Sequence, residues 1–228
     1  MTQTSKVIEL AQLCLRFGRV DRATTHEDGQ RHETDTDHTV MLGVIACAFA
    51  SSCGLDLDIG KVAQFALVHD LVEAYAGDTN TLLSRTGSGE DASKTVREAE
   101  AFDKINKDFA EAMPWLPKTI AAYEQLDTRE ARYVKTLDKV LPKITHILNR
   151  GAMLARHSVD ANNIDAVNGS QVLKMLASYA RDQHEVMLLY ADVHAELKRL
   201  LVEETTRRSS VGGDVTAPEK EPQDTSSS

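Results

Sequence analysis

The sequence predicts an all-α fold, a single bundle of helices, on three observations. Helix-forming residues such as Ala, Leu, Glu, Lys and Arg dominate much of the 228-residue chain. Aromatic residues, which strands favour, make up only 5% of it. Apolar residues, 42% of the chain, recur mainly at helical spacing, and strand-like alternation is absent. This apolar content can form a real core, so we expect one helical domain over residues 1–204.

Two helices separated by a polar segment are predicted before Gly54. Residues 5–17 carry apolar side chains at helical spacing, and Gly18 ends the pattern. The following segment, RVDRATTHEDGQRHETDTD, has almost nothing to bury and is predicted to be a surface loop. The next segment, DHTVMLGVIACAFASSC, is apolar nearly all round, as expected of a buried helix, with Thr36 as its N-cap.

A third buried helix is predicted over residues 58–75, and Gly77 stops it directly before Asp78. The segment TNTLLSRTGSGEDASKT is rich in Gly, Ser and Thr, and we expect a mobile connection that could act as a lid. An amphipathic helix is predicted over residues 92–112. Prolines then interrupt the pattern at MPWLPKT, where Trp115 is expected to be a packing anchor.

Two further long helices are predicted in the C-terminal half, over residues 128–150 and 169–202, each with an apolar face. Beyond them the chain has no aromatic and hardly any aliphatic side chain, so it cannot offset the entropy of ordering. We therefore expect a disordered tail over residues 205–228. The sequence shows no internal repeat and no second domain.

Charge, cysteine content and hydropathy indicate which binding partners, thiol state and cellular location to expect. A net charge of -9 and a pI near 5.4 argue against binding of duplex nucleic acid or of an anionic membrane. Cys14, Cys47 and Cys53 have no C-x-x-C spacing and lie in apolar helical patterns, so we expect buried, reduced thiols. The sequence has no signal-peptide pattern and no apolar run of membrane-spanning length, so we expect a cytoplasmic protein.

One stretch, ALVHDLVEAYAGD, places ionisable groups in a helix that otherwise belongs in the core. His69, Asp70 and Glu73 share one side of that helix, because residues three and four apart are neighbours. His38 lies one turn into the second apolar helix, and Asp138 lies beside the apolar face of another. Any one of these residues alone is more often structural. As a set they need hydrogen bonds or a cation to be buried, and they favour a metal site.

Two imidazoles and two carboxylates suit a divalent ion, and these ligand types leave its identity open among Co, Mn, Mg, Ni, Fe and Zn. Four protein ligands leave water positions free on a six-coordinate ion. Such an ion would polarise a phosphoryl oxygen and lower the pKa of a bound water, which supplies a nucleophile near neutral pH. The set therefore favours metal-assisted hydrolysis.

The order of these residues resembles a known family. TDTDHT, then LVHDLVEAYAGDT, then KTLDKV are similar to the motifs of HD-domain phosphohydrolases, in particular the 5'-deoxynucleotidases, over roughly the first 150 residues. The resemblance implies an HD-domain helical bundle. It implies four metal ligands, His38, His69, Asp70 and Asp138. It also implies two acids that do not bind the metal, Glu73 and Asp78, and one arginine that contacts the phosphate, Arg19.

What is known of that family implies roles for these groups. The glutamate orients or activates the attacking water, and the aspartate after the glycine assists at the leaving sugar oxygen. We therefore predict a metal-dependent enzyme that removes the 5'-phosphate from deoxynucleoside monophosphates, a small-molecule nucleotide substrate. The resemblance also suggests a homodimer.

Two other functions stay open on the sequence. A deoxynucleoside triphosphate triphosphohydrolase, of the kind found in phage, would use the same metal and acids, with Arg22, Arg31 and Arg85 available for the outer phosphates. A non-catalytic helical module that only senses a nucleotide would be expected to lack one or more of the acids, and all are present. Val20 and GDTNTL differ from the residues usual in deoxynucleotidases, which leaves the base preference open.

Overall fold

The computed structural model describes residues 2–78 and 89–211. Within these residues the regular structure is helical apart from one two-stranded hairpin, so the prediction of an all-α bundle is confirmed. In chain order the elements are α1 (Gln3–Phe17), β1 (Asp21–Thr25), β2 (His32–Thr34), α2 (Asp35–Ser52), α3 (Ile59–Val68), α4 (Glu73–Ala76), α5 (Gly89–Phe109), α6 (Trp115–Glu124), α7 (Arg129–Asp138), α8 (Leu141–Leu148), α9 (Ala152–Arg156), α10 (Ile164–Ser178) and α11 (His184–Val211).

The main core packs α2, α3 and α7 against α8 and α11. Its fully buried aliphatic side chains include Leu42, Val62 and Leu137, and complete burial of each contributes roughly 1.5–3 kcal/mol. The Tyr133 hydroxyl of α7 donates a hydrogen bond of 2.8 Å to the backbone oxygen of Ala46 in α2. This packing brings the start of α2 close to the ends of α3 and α7.

The polar segment after α1 forms a β-hairpin, where the sequence predicts a surface loop. Strands β1 and β2 pair antiparallel, with Asp21 opposite Thr34 and Thr25 opposite His32. The hairpin buries polar side chains, and Asn149, which directly follows α8, donates from Nδ2 to the backbone oxygen of Thr25 at 3.0 Å. Because the buried groups are polar, this segment has no hydrophobic period from which a strand could be predicted.

Helix α2 is capped by Thr34. Thr34 Oγ1 accepts a hydrogen bond of 3.2 Å from the Asp37 backbone N–H, and Asp37 Oδ2 accepts one of 3.1 Å from the Thr34 backbone N–H. The two bonds form a capping box. Thr36, the cap predicted from the sequence, lies inside the first turn and is exposed. The start of α2 at this point places His38 in its first turn.

The third predicted helix is interrupted at its ionisable residues. Helix α3 ends at Val68 and α4 begins at Glu73. Between them the backbone closes tight i to i+3 hydrogen bonds, from Leu71 N to Val68 O at 3.1 Å and from Glu73 N to Asp70 O at 2.8 Å. In a continuous α-helix, side chains of adjacent residues point about 100° apart. The tight turns instead let His69 and Asp70 face one site.

Two other predicted helices are each divided in two. The region 128–150 forms α7 and α8, and Pro142 lies in the first turn of α8. Proline lacks an N–H, and in a continuous helix its ring would clash with the carbonyl four residues earlier, that of Asp138. The helix therefore ends at Asp138. The predicted helix over residues 169–202 is likewise shared between α10 and α11.

Parts of two predictions lie outside the described residues. These parts are residues 79–88, which make up much of the predicted lid, and residues 212–228 of the predicted tail. The boundary expected at residue 205 falls inside α11, which extends to Val211. Just before that boundary the buried Glu204 carboxylate contacts Arg150 of the α8–α9 turn.

Several side chains are more exposed than the sequence predicts. All three cysteines are free thiols; Cys14 and Cys53 are exposed and Cys47 is half-buried. Apolar side chains also occupy the outer faces of α1 and α2, so an apolar pattern around a cysteine does not ensure its burial. Trp115 is about half exposed, and its Nε1 donates to Gln64 Oε1 at 3.2 Å, so it is not a buried anchor. Among the described helices, none is both long and apolar enough to cross a membrane.

The capping box gives a stability prediction. Thr34→Ala removes the side-chain acceptor at the start of α2 and should lower the free energy of unfolding by about 1 kcal/mol. Urea denaturation of the full-length protein measures the change. Thr36→Ala, two residues away and outside the cap, should leave the midpoint nearly unchanged. Equal effects of the two substitutions would contradict the assignment of Thr34 as the cap.

Candidate metal centre

Four side chains from the ends of three helices converge in the interior. His38 lies in the first turn of α2, Asp138 is the last residue of α7, and His69 and Asp70 directly follow α3. Each offers one nitrogen or oxygen atom, and the four atoms all lie within 4.8 Å of one another. The structure thus brings together the four residues that the sequence predicts as metal ligands.

One carboxylate oxygen faces both imidazoles. Asp138 Oδ1 lies 2.8 Å from His38 Nε2 and 3.8 Å from His69 Nε2. On the other side, Asp70 Oδ2 lies 3.0 Å from His69 Nε2. His38 is completely buried, whereas 19% of the Asp70 side chain is exposed. Asp70 is therefore the member of this group that a solvent molecule or a substrate can reach.

The imidazole of His69 is oriented by the helix that precedes it. Its Nδ1 lies 2.8 Å from the backbone oxygen of Ala66, so Nδ1 carries the proton and donates it to that carbonyl. The other nitrogen, Nε2, then has a lone pair directed at the carboxylates. Nε2 is buried and makes no well-formed hydrogen bond to the described residues. A nitrogen lone pair and carboxylate oxygens directed at one point fit a divalent cation.

Electrostatics keep both candidate carboxylate ligands ionised. Burial alone would raise the pKa of Asp138, but Lys139, whose Nζ lies 2.6 Å from Oδ2, and His38 hold that pKa well below its ordinary value. The pKa of Asp70 is likewise lowered against the effect of burial, by the protonated form of His69, which a bound cation would replace, and by Arg22. Both groups are therefore in the form that a metal ion requires.

Two more buried carboxylates stand beside these four residues. Burial and the nearby Asp70 raise the pKa of Glu73 to about 10. Burial, opposed by Arg22, raises the pKa of Asp35 to about 6. Carboxylates crowded into one buried site oppose one another's ionisation unless positive charge is added. The electrostatics, like the donor types, fit a site that takes up a cation.

The two predicted non-ligand acids both lie near the site. Glu73 is the first residue of α4 and is 4% exposed, and its Oε2 has no hydrogen-bond partner among the described residues. Its Oε1 lies 3.8 Å from Nζ of Lys94 on α5. Asp78 follows Gly77, whose φ of +75° is a conformation that glycine adopts readily. Asp78 is partly exposed and close enough to raise the pKa of Glu73.

The predicted phosphate-contacting arginine lies on the surface in this structure. Arg19 is exposed at the end of α1 and lines a surface cleft with Gln12, Leu15 and Arg16. Arg22, three residues later on β1, lies in the site instead. Its Nη1 donates hydrogen bonds of 3.1 Å to Asp35 Oδ1 and, at the same distance, to Asp70 Oδ2.

The other two arginines that the sequence suggests for outer phosphates are less well placed. Arg31 is exposed on the hairpin, with Nη1 3.7 Å from Asp37 Oδ2, and Arg85 lies outside the described residues.

Comparison with known proteins gives a family for this arrangement. A family model described as an HD domain matches residues 15–179, more than half of the chain. The chain belongs to the HD domain family. The matched range of this HD domain protein contains the four ligand candidates together with Arg22, Glu73 and Asp78.

Solved structures are similar to this HD domain protein in fold. A predicted metal-dependent phosphohydrolase from Magnetospirillum magnetotacticum MS-1 is 24% identical with a TM-score of 0.61, and the match covers 91% of this chain and 92% of that one. The PH0347 protein of Pyrococcus horikoshii OT3 is 18% identical with a TM-score of 0.51, covering 85% and 99%. The search of curated proteins gives no significant match.

Sequence reasoning missed several polar residues that the HD domain places around the ligand candidates. Lys139 contacts Asp138, Lys94 faces Glu73, and Glu33 of β2 lies 3.4 Å from His38. For Lys139 a signal existed, because it directly follows a candidate ligand in KTLDKV. For Glu33 and Lys94 no local signal existed, because their contacts depend on the hairpin and on the packing of α5.

Removal of one ligand candidate should abolish metal binding. Asp138→Ala takes away the oxygen that faces both imidazoles, so the full-length variant should lose its stoichiometric divalent metal by elemental analysis. Asp138→Asn, which keeps the side-chain size, should show the same loss if Asp138→Ala folds poorly. The exposed Asp103→Ala serves as the control. Full metal content in a folded Asp138 variant would contradict the site.

Proposed function

We propose that this HD domain protein is a metal-dependent phosphohydrolase of nucleotides that removes the 5'-phosphate from deoxynucleoside monophosphates. The observation that carries the proposal is the convergence of the four ligand candidates beside a buried acid, Glu73, with an unpartnered oxygen. The structure from Magnetospirillum magnetotacticum, described as a predicted metal-dependent phosphohydrolase, supports the same reaction class through its similar fold. The substrate itself rests on the resemblance of the sequence motifs.

Glu73 is placed to handle the proton of the attacking water. A divalent ion held by the four ligand candidates would polarise a phosphoryl oxygen and lower the pKa of a bound water. Glu73 Oε2 is free among the described residues to accept a hydrogen bond from that water. Burial and the nearby Asp70 raise the pKa of Glu73 to about 10, and positive charge added at the site would lower it. We therefore expect Glu73 to act as a base when a metal ion occupies the site.

Arg22 is the arginine that we assign to the substrate phosphate. Its described hydrogen bonds, to Asp35 and Asp70, both use Nη1, and the guanidinium has further donors on Nε and Nη2. A phosphate held by those donors would lie beside Asp70. Charge-assisted contacts of this kind position the phosphate and stabilise charge that develops on it.

Asp78 is assigned to the leaving group. Asp78 directly follows Gly77, whose φ is positive, and is itself partly exposed, which favours contact with the sugar oxygen of a bound nucleotide. In that position the carboxyl would assist departure of the alcohol by hydrogen bonding or by protonation.

A phosphate-release screen tests the function. Purified full-length protein is incubated with deoxynucleoside mono-, di- and triphosphates and several divalent metals, and the products are separated by chromatography. Nucleoside plus phosphate from a monophosphate is the expected result. Nucleoside plus triphosphate would identify the triphosphohydrolase, and nucleotide binding without turnover would identify the sensing module. Either result would overturn the proposal.

Glu73 should be needed for the chemical step and not for binding of the metal. We expect Glu73→Ala to keep its metal and to lose about two to four orders of magnitude in kcat, the usual contribution of a general acid or base. Elemental analysis and steady-state kinetics measure the two properties. The exposed Glu100→Ala on α5 is the control. Loss of metal from Glu73→Ala would identify Glu73 as a ligand.

The two arginines should differ in their effect on catalysis. Arg22→Lys keeps a positive charge but removes the planar fork, so kcat/KM should fall at least about tenfold, or about 1.4 kcal/mol of transition-state stabilisation. Arg19→Lys, on the exposed end of α1, should retain nearly wild-type kcat/KM. The reverse order of effects would assign the phosphate contact to Arg19.

A further inference from the structure

The side of His38 that faces away from the other three ligand candidates is covered by a buried polar pair on the hairpin. Glu33, in the middle of β2, is 3% exposed, and Thr24, on β1, is 5% exposed. The Thr24 hydroxyl donates a hydrogen bond to Glu33 Oε2. This bond fixes one oxygen of the Glu33 carboxylate and leaves the other, Oε1, without a hydrogen bond to Thr24.

The free oxygen of Glu33 faces the free nitrogen of His38. Glu33 Oε1 lies 3.4 Å from His38 Nδ1, slightly longer than a well-formed hydrogen bond. Both atoms are buried, and neither has another hydrogen-bond partner among the described residues. A small rotation of either side chain would therefore satisfy both groups at once.

The proton on Nδ1 decides what His38 can do at its other nitrogen. In a neutral imidazole one nitrogen carries the proton and the other carries the lone pair. His38 Nε2 is the atom that lies among the ligand candidates, 2.8 Å from Asp138 Oδ1. It can bind a cation only after it gives up the proton that it shares with Asp138 and keeps the remaining proton on Nδ1, and a buried acceptor opposite Nδ1 favours that tautomer.

We propose that Glu33 is a positioning residue of the metal centre, which accepts a hydrogen bond from the Nδ1 N–H of His38 and thereby holds the Nε2 lone pair toward the metal. Thr24 in turn orients Glu33. The inference rests on the metal centre that the proposed function uses and not on the substrate or the reaction, so its test measures metal binding and not catalysis. His69 obtains the same orientation from a backbone carbonyl, that of Ala66, so the two imidazoles are fixed by different means.

Burial of Glu33 argues against a role in stability alone. A carboxylate in the interior is costly unless it is paired, and an apolar side chain of similar size is often as stable or more stable at such a position. Glu33→Met therefore removes the acceptor with little loss of volume. Glu33→Gln keeps an oxygen that can accept a hydrogen bond from His38 Nδ1 but removes the negative charge.

The experiment measures Zn²⁺ affinity of the full-length protein by competition with a chromophoric chelator. We expect Glu33→Met to bind Zn²⁺ about 10- to 100-fold more weakly, the usual effect of losing a hydrogen-bond partner of a ligating histidine. Glu33→Gln should be intermediate. Thr24→Val, which removes the hydroxyl that orients Glu33, should weaken binding in the same direction. Glu27→Met, exposed on the same hairpin, should bind like the wild type.

A spectroscopic measurement separates positioning from a general loss of stability. In Zn²⁺-loaded protein labelled with ¹⁵N-histidine, the wild type should show a slowly exchanging Nδ1 proton on His38. Glu33→Met should lose that protection, and thermal melting of the metal-free proteins should show each variant to be folded.

Unchanged Zn²⁺ affinity in folded Glu33→Met, or a fall in melting temperature alone, would overturn the role of Glu33. Failure of the wild type to bind Zn²⁺ or any of Co²⁺, Mn²⁺, Mg²⁺, Ni²⁺ and Fe²⁺ would instead overturn the metal centre, and the role of Glu33 with it. A wild type that binds Zn²⁺ and shows the expected order of variants, yet releases no phosphate, would overturn only the proposed function.

Discussion

The contact between His38 and Asp138 is the constraint on which the rest of the site depends. The two residues are 100 positions apart, both are buried, and their closest atoms are 2.8 Å apart. Helix α2 must therefore begin, and α7 must end, at one point of the interior. The Thr34 cap and Pro142 set those two helix ends. An imidazole and a carboxylate can be buried there because each compensates the other, or because both share a cation.

Positively charged side chains surround the site because buried carboxylates need compensating charge. Positive groups reach the carboxylates from separate elements: Arg22 from β1 contacts Asp70, Lys94 from α5 approaches Glu73, and Lys139 contacts Asp138. These cations offset part of the negative charge, while burial and the nearby Asp70 still raise the pKa of Glu73. Uptake of a metal ion would therefore stabilise the packed arrangement of these elements as well as supply chemistry.

The helical character of the chain could be predicted because core-facing residues repeat at the helical period, as Leu42 and Ala46 do in α2. The breaks between helices were less predictable. Pro142 marks one break directly, and the clash of its ring explains why α7 ends at Asp138. The break after Val68 has no such marker, since it depends on tight backbone turns and on the bond from His69 to Ala66.

By itself the sequence determined that the fold is helical and which imidazoles and carboxylates are candidates for one metal site. Ionisable residues stand out in apolar helices, where burial without compensation is costly. Only the tertiary structure decided that Arg22 lies in the site while Arg19 stays on the surface, and that Glu33 lies against His38. Arg22 and Glu33 belong to a segment without a hydrophobic period. Their directions are set by the pairing of β1 with β2, because alternate side chains of a strand point to opposite faces.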